Sequence, residues 1–167
     1  GSYPFVTSSH TVTAGTCIGL GIPPSAVGEV YGIFKAYCTR VGSGPFPSEL
    51  LGELGEKIVE IGREFGTVTG RRRRPGWLDL VMLRHAVRLN SLTEIALTKL
   101  DILDTFENVR VCVGYELNGK ELSGYPDDSQ LLDQVKPKYV DLQGWNKSVS
   151  AVRNYADLPQ QAKALIE

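Results

Sequence analysis

The sequence predicts an α/β fold, in which part of a mixed, mostly parallel sheet is flanked by helices and carries a small antiparallel hairpin region. Apolar residues recur at helical spacing over 50–61. An apolar run at 94–100 and a β-branched run at 109–117 are typical of strands. Asn118-Gly119 then supplies a tight hairpin turn. Because helices alternate with apolar strands, and 167 residues suffice for a core, we predict a single α/β unit.

The order of elements follows from composition and turn signals. In the first half we expect a short strand at 3–9 leading into a Ser/Thr loop, a glycine-rich loop at 13–24, a strand at 30–41, and a helix that Ser48 caps and that ends near Gly66. In the second half we expect a loop at 66–76, a helix at 77–90, a buried strand at 94–100, strands at 109–117 and 138–142, and a helix at 158–167.

Composition excludes several classes of function. The net charge of −1 gives no reason to expect a nucleic-acid or membrane partner. Cys17, Cys38 and Cys112 lie far apart, which favours a reducing, cytoplasmic setting over a disulfide framework or a zinc site. No apolar run approaches the roughly 20 residues that span a bilayer.

The segment Thr98-Lys99-Leu100-Asp101 closes a predicted apolar strand. One carboxylate can accept both N1–H and N2–H of guanine, and it would stay unpaired against adenine. The Lys99 stem can lie over a base plane while its ammonium keeps polar surroundings. The pattern is similar to the N/T-K-x-D element with which GTP-binding proteins recognise guanine, and ligands of open α/β sheets bind at the carboxyl ends of strands. An ordinary charged pair at a strand end is the alternative.

Four consecutive arginines, Arg71 to Arg74, lie in the segment GTVTGRRRRPGW at 66–77, between two predicted helices. Guanidinium groups bind carboxylates and phosphates in a bidentate manner, and the hydroxyls of Thr67 and Thr69 add hydrogen bonds. We interpret this segment as a clamp for a small anion. A solvated basic patch is the alternative.

A third candidate combines the hydroxyls at 7–9 with the glycine-rich segment 14–21, which could cradle a phosphate. It lacks the spacing of a P-loop, and a structural loop is the alternative. His10 and His85 form no predicted metal or catalytic constellation.

Several segments resemble the adenylosuccinate synthetase family, in family order and at family spacing, and the similarity extends over essentially all 167 residues. The matching segments are YPFVTSS at 3–9, KAYCTRVG at 35–42, GPFP at 44–47, TGRRRR at 69–74, GWLD at 76–79, LTKLDILD at 97–104 and GW at 144–145.

The resemblance implies a GTP-dependent carbon–nitrogen ligase of purine biosynthesis. In that family GTP first phosphorylates O6 of IMP, and the amine of L-aspartate then displaces the phosphate to give adenylosuccinate. The resemblance also implies GTP as co-substrate, Mg²⁺ as cofactor and a homodimer for the complete protein.

Site residues follow from the same resemblance. For IMP it implies Thr7, Val41 and Arg71. For aspartate it implies Thr67, Val68, Thr69, Gly70, Arg71, Arg72 and Arg73. For GTP it implies Arg73, Lys99, Leu100 and Asp101. Two positions depart from the family pattern: Val68 stands where threonine is usual, and His10 where asparagine or cysteine is usual.

The family's N-terminal glycine-rich element, GDEGKGK, has no counterpart in these residues, and neither has its final GTP-contacting segment. We therefore expect residues 1–167 to be a fragment of a single adenylosuccinate synthetase domain. The catalytic residues and the Mg²⁺ ligands would lie outside it, and the chain alone would be inactive. Two other functions remain open from the residues alone: a non-catalytic guanine-nucleotide-binding module that uses Asp101, and a nucleic-acid-binding domain that uses Arg71 to Arg74.

Overall fold

The computed structural model describes residues 3–5, 9–126 and 128–167. Within them the predicted α/β class is confirmed, with two sheets and four α-helices. The helices are α1 (Ala14–Leu20), α2 (Glu53–Gly62), α3 (Leu80–Asn90) and α4 (Gln160–Ile166). The strands are β1 (Tyr31–Lys35), β2 (Tyr37–Arg40), β3 (Arg74–Asp79), β4 (Glu94–Thr98), β5 (Asn108–Leu117), β6 (Lys120–Glu121) and β7 (Lys136–Gln143). No helix in these ranges has the length and apolar character that a membrane crossing requires.

The smaller sheet consists of β1 and β4, which run parallel with Lys35 opposite Thr98. The larger sheet is organised around β5, which pairs with parallel β3 and antiparallel β6 along one edge and with antiparallel β7 along the other. Strand β2 pairs antiparallel with β3 and completes this sheet. Antiparallel pairing therefore extends well beyond the predicted hairpin, because β7 follows β5 for most of its length.

The main hydrophobic core packs α2 and the segment after β4 against the larger sheet. Ile58 of α2 and Leu103 are fully buried in it. The rings of Trp77 and Phe106 meet edge to face with their centroids 6.1 Å apart, an arrangement that aromatic pairs prefer. The core thus fixes the end of α2 against β3, on either side of the arginine-rich segment.

The predicted strand at 30–41 is in fact two strands that belong to different sheets. Fully buried Ala36 joins them. Its N–H donates to the carbonyl of Thr98 at 2.9 Å, which extends the β1–β4 ladder by one bond before the chain enters β2. Strand propensity is continuous across this point, so the sequence could not reveal the change of sheet.

The helix predicted from Ser48 to near Gly66 is shorter at both ends, since α2 begins only after Gly52 and ends at Gly62. Ser48 is instead buried beside β3, and its carbonyl accepts from Trp77 N–H at 3.0 Å. Leu50 N–H donates to Pro75 at 2.9 Å on the same edge. This tertiary backbone pairing outweighs the local preference of serine for a helix cap.

The glycine-rich loop predicted at 13–24 contains the short helix α1. Asn90 at the end of α3 holds its start, since its Oδ1 accepts from Thr13 N–H at 2.9 Å. Helix α3 begins at Leu80 rather than at the predicted Trp77, because residues 77–79 complete β3. Long-range contacts decide both boundaries.

The predicted strand at 94–100 forms as β4, but it is largely exposed rather than buried. Apolar side chains of the small sheet face solvent: Ile33 is 78% exposed and Ile95 45% exposed. The loop predicted at 66–76 was wrong at its end, because residues 74–76 form the start of β3, where they pair with β2. The other predictions for the second half are confirmed. Strands β5 and β7 and helix α4 form, and Asn118 and Gly119 have φ of 52° and 77°, as a two-residue hairpin turn requires.

Candidate functional site

The arginine-rich segment forms a backbone hairpin, which we call the arginine hairpin (residues 64–73). Arg73 N–H donates to the Glu64 carbonyl at 2.9 Å, and Gly66 N–H donates to the Arg71 carbonyl at 2.8 Å. Gly70 closes the tip: its N–H donates to Gly66 at 2.8 Å, and its φ of 63° suits glycine. The hairpin starts directly after α2 and runs directly into β3, so both ends are anchored in the core.

The tip of the arginine hairpin is open to solvent. Val68 is 96% exposed. Thr69 Oγ1 accepts from Arg71 N–H at 3.3 Å, which orders the turn. The predicted aspartate-binding residues Thr67, Thr69 and Gly70 therefore present hydroxyl and backbone groups on an ordered, accessible turn.

Glu64, at the base of the arginine hairpin, is the most heavily bonded side chain of this region. Its carboxylate is fully buried, and it accepts from Tyr37 Oη at 2.5 Å and from Arg73 Nη1 at 2.8 Å. Lys35 Nζ lies 3.0 Å from both carboxylate oxygens, and Lys99 Nζ lies 3.2 Å from Oε1. Burial by itself would raise the pKa of Glu64, but the hydrogen bonds from Tyr37, Arg73 and Lys35 outweigh it and lower the pKa to about 2.

The predicted guanine-reading segment reaches the same carboxylate. Lys99 follows β4 in a left-handed conformation with φ of 57°. Its ammonium donates to the Gly62 carbonyl at 2.6 Å as well as to Glu64. Because β1 and β4 are parallel and end side by side, Lys35 and Lys99 emerge at the same carboxyl edge of the small sheet, the kind of edge at which ligands of open α/β sheets bind.

Asp101 lies in the 3₁₀ turn Leu100–Leu103 that follows Lys99. Its side chain is exposed, and among the described residues it has no hydrogen-bond or ion-pair partner. Leu100 is half-buried and packs against the main core. The carboxylate of Asp101 is thus held near Lys99 by a core-anchored turn and keeps its acceptor capacity free.

The four arginines have different surroundings. Arg74 makes a bidentate pair with Glu49 at 2.5 and 2.6 Å. Arg72 pairs with Glu56 at 2.6 Å on the exposed surface. Arg73 bonds to Glu64, whereas Arg71 has no side-chain partner within the described ranges.

Two of the three predicted IMP-binding residues, Val41 and Arg71, lie within the described residues. Val41 is 52% exposed, and the carbonyl of the next residue, Gly42, accepts from Arg74 Nη1 at 3.0 Å. The segment after β2 is thereby tied to the end of the arginine hairpin. Thr7 lies outside the described residues. Within the described ranges, no group of three or more His, Cys, Asp or Glu side chains could hold a metal ion.

Lys35, Tyr37 and Glu64 belong to this site, but their sequence positions do not predict it. A glutamate directly before Phe65-Gly66 carries no local signal of burial, because charged residues are mostly exposed. The sequence places Lys35 and Tyr37 on either side of Ala36, but it does not show that both side chains contact Glu64, which lies on another element.

Comparison with known proteins places the chain. The family model of adenylosuccinate synthetase matches residues 1–167. Adenylosuccinate synthetase of Parabacteroides distasonis is 52% identical over 166 residues, which cover 99% of this chain and 39% of that protein. The Porphyromonas gingivalis enzyme is 54% identical over 161 residues, covering 96% of this chain and 38% of the relative. A solved structure, fully ligated adenylosuccinate synthetase from Plasmodium falciparum, superposes with a TM-score of 0.96 at 40% identity and covers 99% of this chain and 40% of that chain. The chain spans about two fifths of the length of these relatives and belongs to the adenylosuccinate synthetase family.

Proposed function

We propose that the complete protein containing this chain is a GTP-dependent ligase, which joins IMP and L-aspartate into adenylosuccinate and releases GDP and phosphate. This chain supplies the sites for aspartate and the guanine base and part of the IMP site. The complete protein is a cytoplasmic homodimer in this proposal. Mg²⁺, held by residues outside this chain, neutralises charge on the phosphates during transfer.

One observation carries the proposal. Arg73 of the arginine hairpin and Lys99 of the guanine-reading segment both bond to the carboxylate of Glu64. These residues are far apart in the sequence, yet the fold brings a candidate anion clamp and a candidate base-reading segment into one cluster. A ligase that uses a guanine nucleotide and a dicarboxylate needs both kinds of site side by side.

The chemistry of the individual residues fits these roles. Within the part of the chain that the structure describes, the Arg71 guanidinium has free donors for a substrate carboxylate or a ribose hydroxyl, and the Thr69 hydroxyl lies next to it on the same turn. Asp101 offers both oxygens to the paired N–H donors of guanine. The Lys99 ammonium is fixed at Glu64, so its stem is held in place as a platform for the base.

The direct test measures product formation by the complete protein with IMP, L-aspartate, GTP and Mg²⁺. We expect adenylosuccinate, GDP and phosphate in equal amounts, and no product when any one substrate is omitted or ATP replaces GTP. Tight GDP binding without turnover would favour a guanine-nucleotide-binding module instead. We also expect the 167-residue chain alone to be inactive, and turnover by the purified chain would contradict that expectation.

A further inference from the structure

The buried cluster around Glu64 has more positive than negative charge. Three cations, from Lys35, Arg73 and Lys99, bond to this one carboxylate. Each cation is partly exposed, with 26–36% of its side chain accessible, whereas the Glu64 side chain is inaccessible. The Glu64 carboxylate is therefore the innermost group of the cluster, and the three cations lie between it and solvent.

The cations come from three separate segments: the end of β1, the arginine hairpin and the turn after β4. Two of them, Lys35 and Arg73, share the oxygen Oε2, and Lys35 and Lys99 share Oε1. Like charges this close repel strongly when partly removed from water. Burial lowers the pKa of Lys35, and Arg73 and Lys99 lower it further, although Glu64 acts in the opposite direction. The one negative charge of Glu64 therefore offsets the repulsion between the cations of the three segments.

We infer that Glu64 is a positioning residue. Through Arg73 it sets the geometry of the aspartate-binding arginine hairpin, and through Lys99 it sets that of the guanine-reading segment. This inference rests on the proposed function. Glu64 touches no substrate in this role, since its side chain is inaccessible. It acts by holding one donor of Arg73 and the ammonium of Lys99, so that the remaining Arg73 donors and the Lys99 stem face the substrates.

A purely structural role would have a different signature. Loss of a structural carboxylate lowers stability and the amount of folded protein, but it leaves the Michaelis constants of the folded fraction unchanged. Loss of a positioning carboxylate raises KM for the two substrates whose ligands it holds. IMP provides an internal reference, because Val41 and Arg71, its predicted ligands within the described residues, do not bond to Glu64.

The experiment compares Glu64→Gln with wild type in the complete protein. The substitution keeps the shape of the side chain, removes the charge and turns an amide N–H₂ toward the cations. We expect KM for L-aspartate and for GTP each to rise at least about tenfold, the effect of losing a hydrogen bond to a charged group. KM for IMP should stay within about twofold of wild type.

Two matched controls separate charge from packing. Tyr115→Phe removes a 2.5 Å hydrogen bond to the buried carboxylate of Asp79, outside the candidate site, so it should lower stability without raising either KM. Glu121→Gln breaks the exposed pair with Lys138 and should change neither the stability nor the kinetics by much. If Tyr115→Phe raises both constants as much as Glu64→Gln does, the effect is a general loss of packing and the inference is wrong.

A binding measurement keeps this inference separate from the proposed function. Calorimetric titration with GDP requires no turnover, and Glu64→Gln should weaken GDP binding by about tenfold or more. If wild type makes no product but this weakening is observed, the ligase proposal fails while the positioning of Lys99 by Glu64 stands. Unchanged GDP affinity and unchanged KM values overturn the inference. Should Glu64→Gln not fold, Glu64→Asp, which keeps the charge but withdraws it by one methylene, must show the same two KM increases, and their absence overturns it equally.

Discussion

Tyr115 donates its hydroxyl to Oδ2 of Asp79 at 2.5 Å, and both side chains are buried beneath the start of α3. The other oxygen of Asp79 accepts from the backbone N–H groups of Val81 and Met82 at 3.0 and 3.1 Å. The Asp79 carboxylate, at the end of β3, therefore both caps α3 and accepts the hydrogen bond of the buried Tyr115 hydroxyl. The arginine hairpin runs into this same strand.

We expect Asp79→Ala to destabilise the complete protein by about 2–4 kcal/mol, because it removes a helix cap and leaves the Tyr115 hydroxyl buried without an acceptor. Asp128→Ala is the matched control, since Asp128 is exposed and caps the 3₁₀ turn Ser129–Asp133 through one bond, from Gln130 N–H at 2.9 Å. That control should cost about 1 kcal/mol or less. Urea unfolding of both variants checks the difference, and equal losses would contradict the role of Asp79.

Glu64 should give the protein an acid-sensitive contribution to stability. Its pKa falls from the ordinary 4.5 to about 2 on folding. A carboxyl whose pKa is lowered in the folded state stabilises it above the unfolded pKa, and this contribution disappears as the pH falls toward the folded pKa. At 1.36 kcal/mol per pKa unit the contribution is about 3 kcal/mol. The free energy of unfolding should therefore fall more steeply between about pH 5 and pH 2 for wild type than for Glu64→Gln. Parallel pH curves for the two proteins would show that Glu64 does not contribute in this way.

Asp101→Asn should move nucleotide preference from guanine toward xanthine. The two-oxygen acceptor becomes one donor and one acceptor, which matches the N1–H donor and the 2-oxo group of xanthine. The exposed side chain has no other partner among the described residues, so folding should be unaffected. Turnover of the complete protein with GTP and with xanthosine triphosphate measures the change. An unaltered preference for GTP would rule out base reading by Asp101.

Arg71→Leu should reduce kcat/KM for L-aspartate by an amount equivalent to about 1.5–3 kcal/mol, the value of hydrogen bonds to a charged group. KM for IMP should rise as well if Arg71 also reaches the ribose. Arg110→Leu is the control, because Arg110 pairs with Asp141 at 2.6 Å on the exposed surface, lies over the Tyr139 ring, and is outside the candidate site. Unchanged constants for both substrates in Arg71→Leu would refute the clamp.

Local signals in the sequence predicted a good part of this fold. The turn residues Asn118 and Gly119 require positive φ, and the hairpin forms there. The segment at Lys99 and Asp101 was predicted at the carboxyl end of a strand and lies there, because an apolar run followed by a charged segment fixes a strand end locally.

Long-range relationships could not be predicted in the same way. Nothing around Ser48 indicates that its carbonyl pairs with β3, and nothing around Glu64 indicates that three distant donors bury it. Helix α3 was placed three residues early because Trp77 and Leu78 are apolar in a strand as they would be in a helix. In each case the deciding partner lies on another element, so the residue itself carries no trace of it.

Ala36 has a mechanical consequence for the cluster. It is the single residue between β1 and β2, which belong to different sheets, so the chain has no slack at this junction. Its neighbours Lys35 and Tyr37 both bond to Glu64. A sliding movement of one sheet against the other would stretch one of these bonds and compress the other. The charge cluster therefore resists sliding of one sheet against the other, and a one-residue insertion at this junction would remove that resistance.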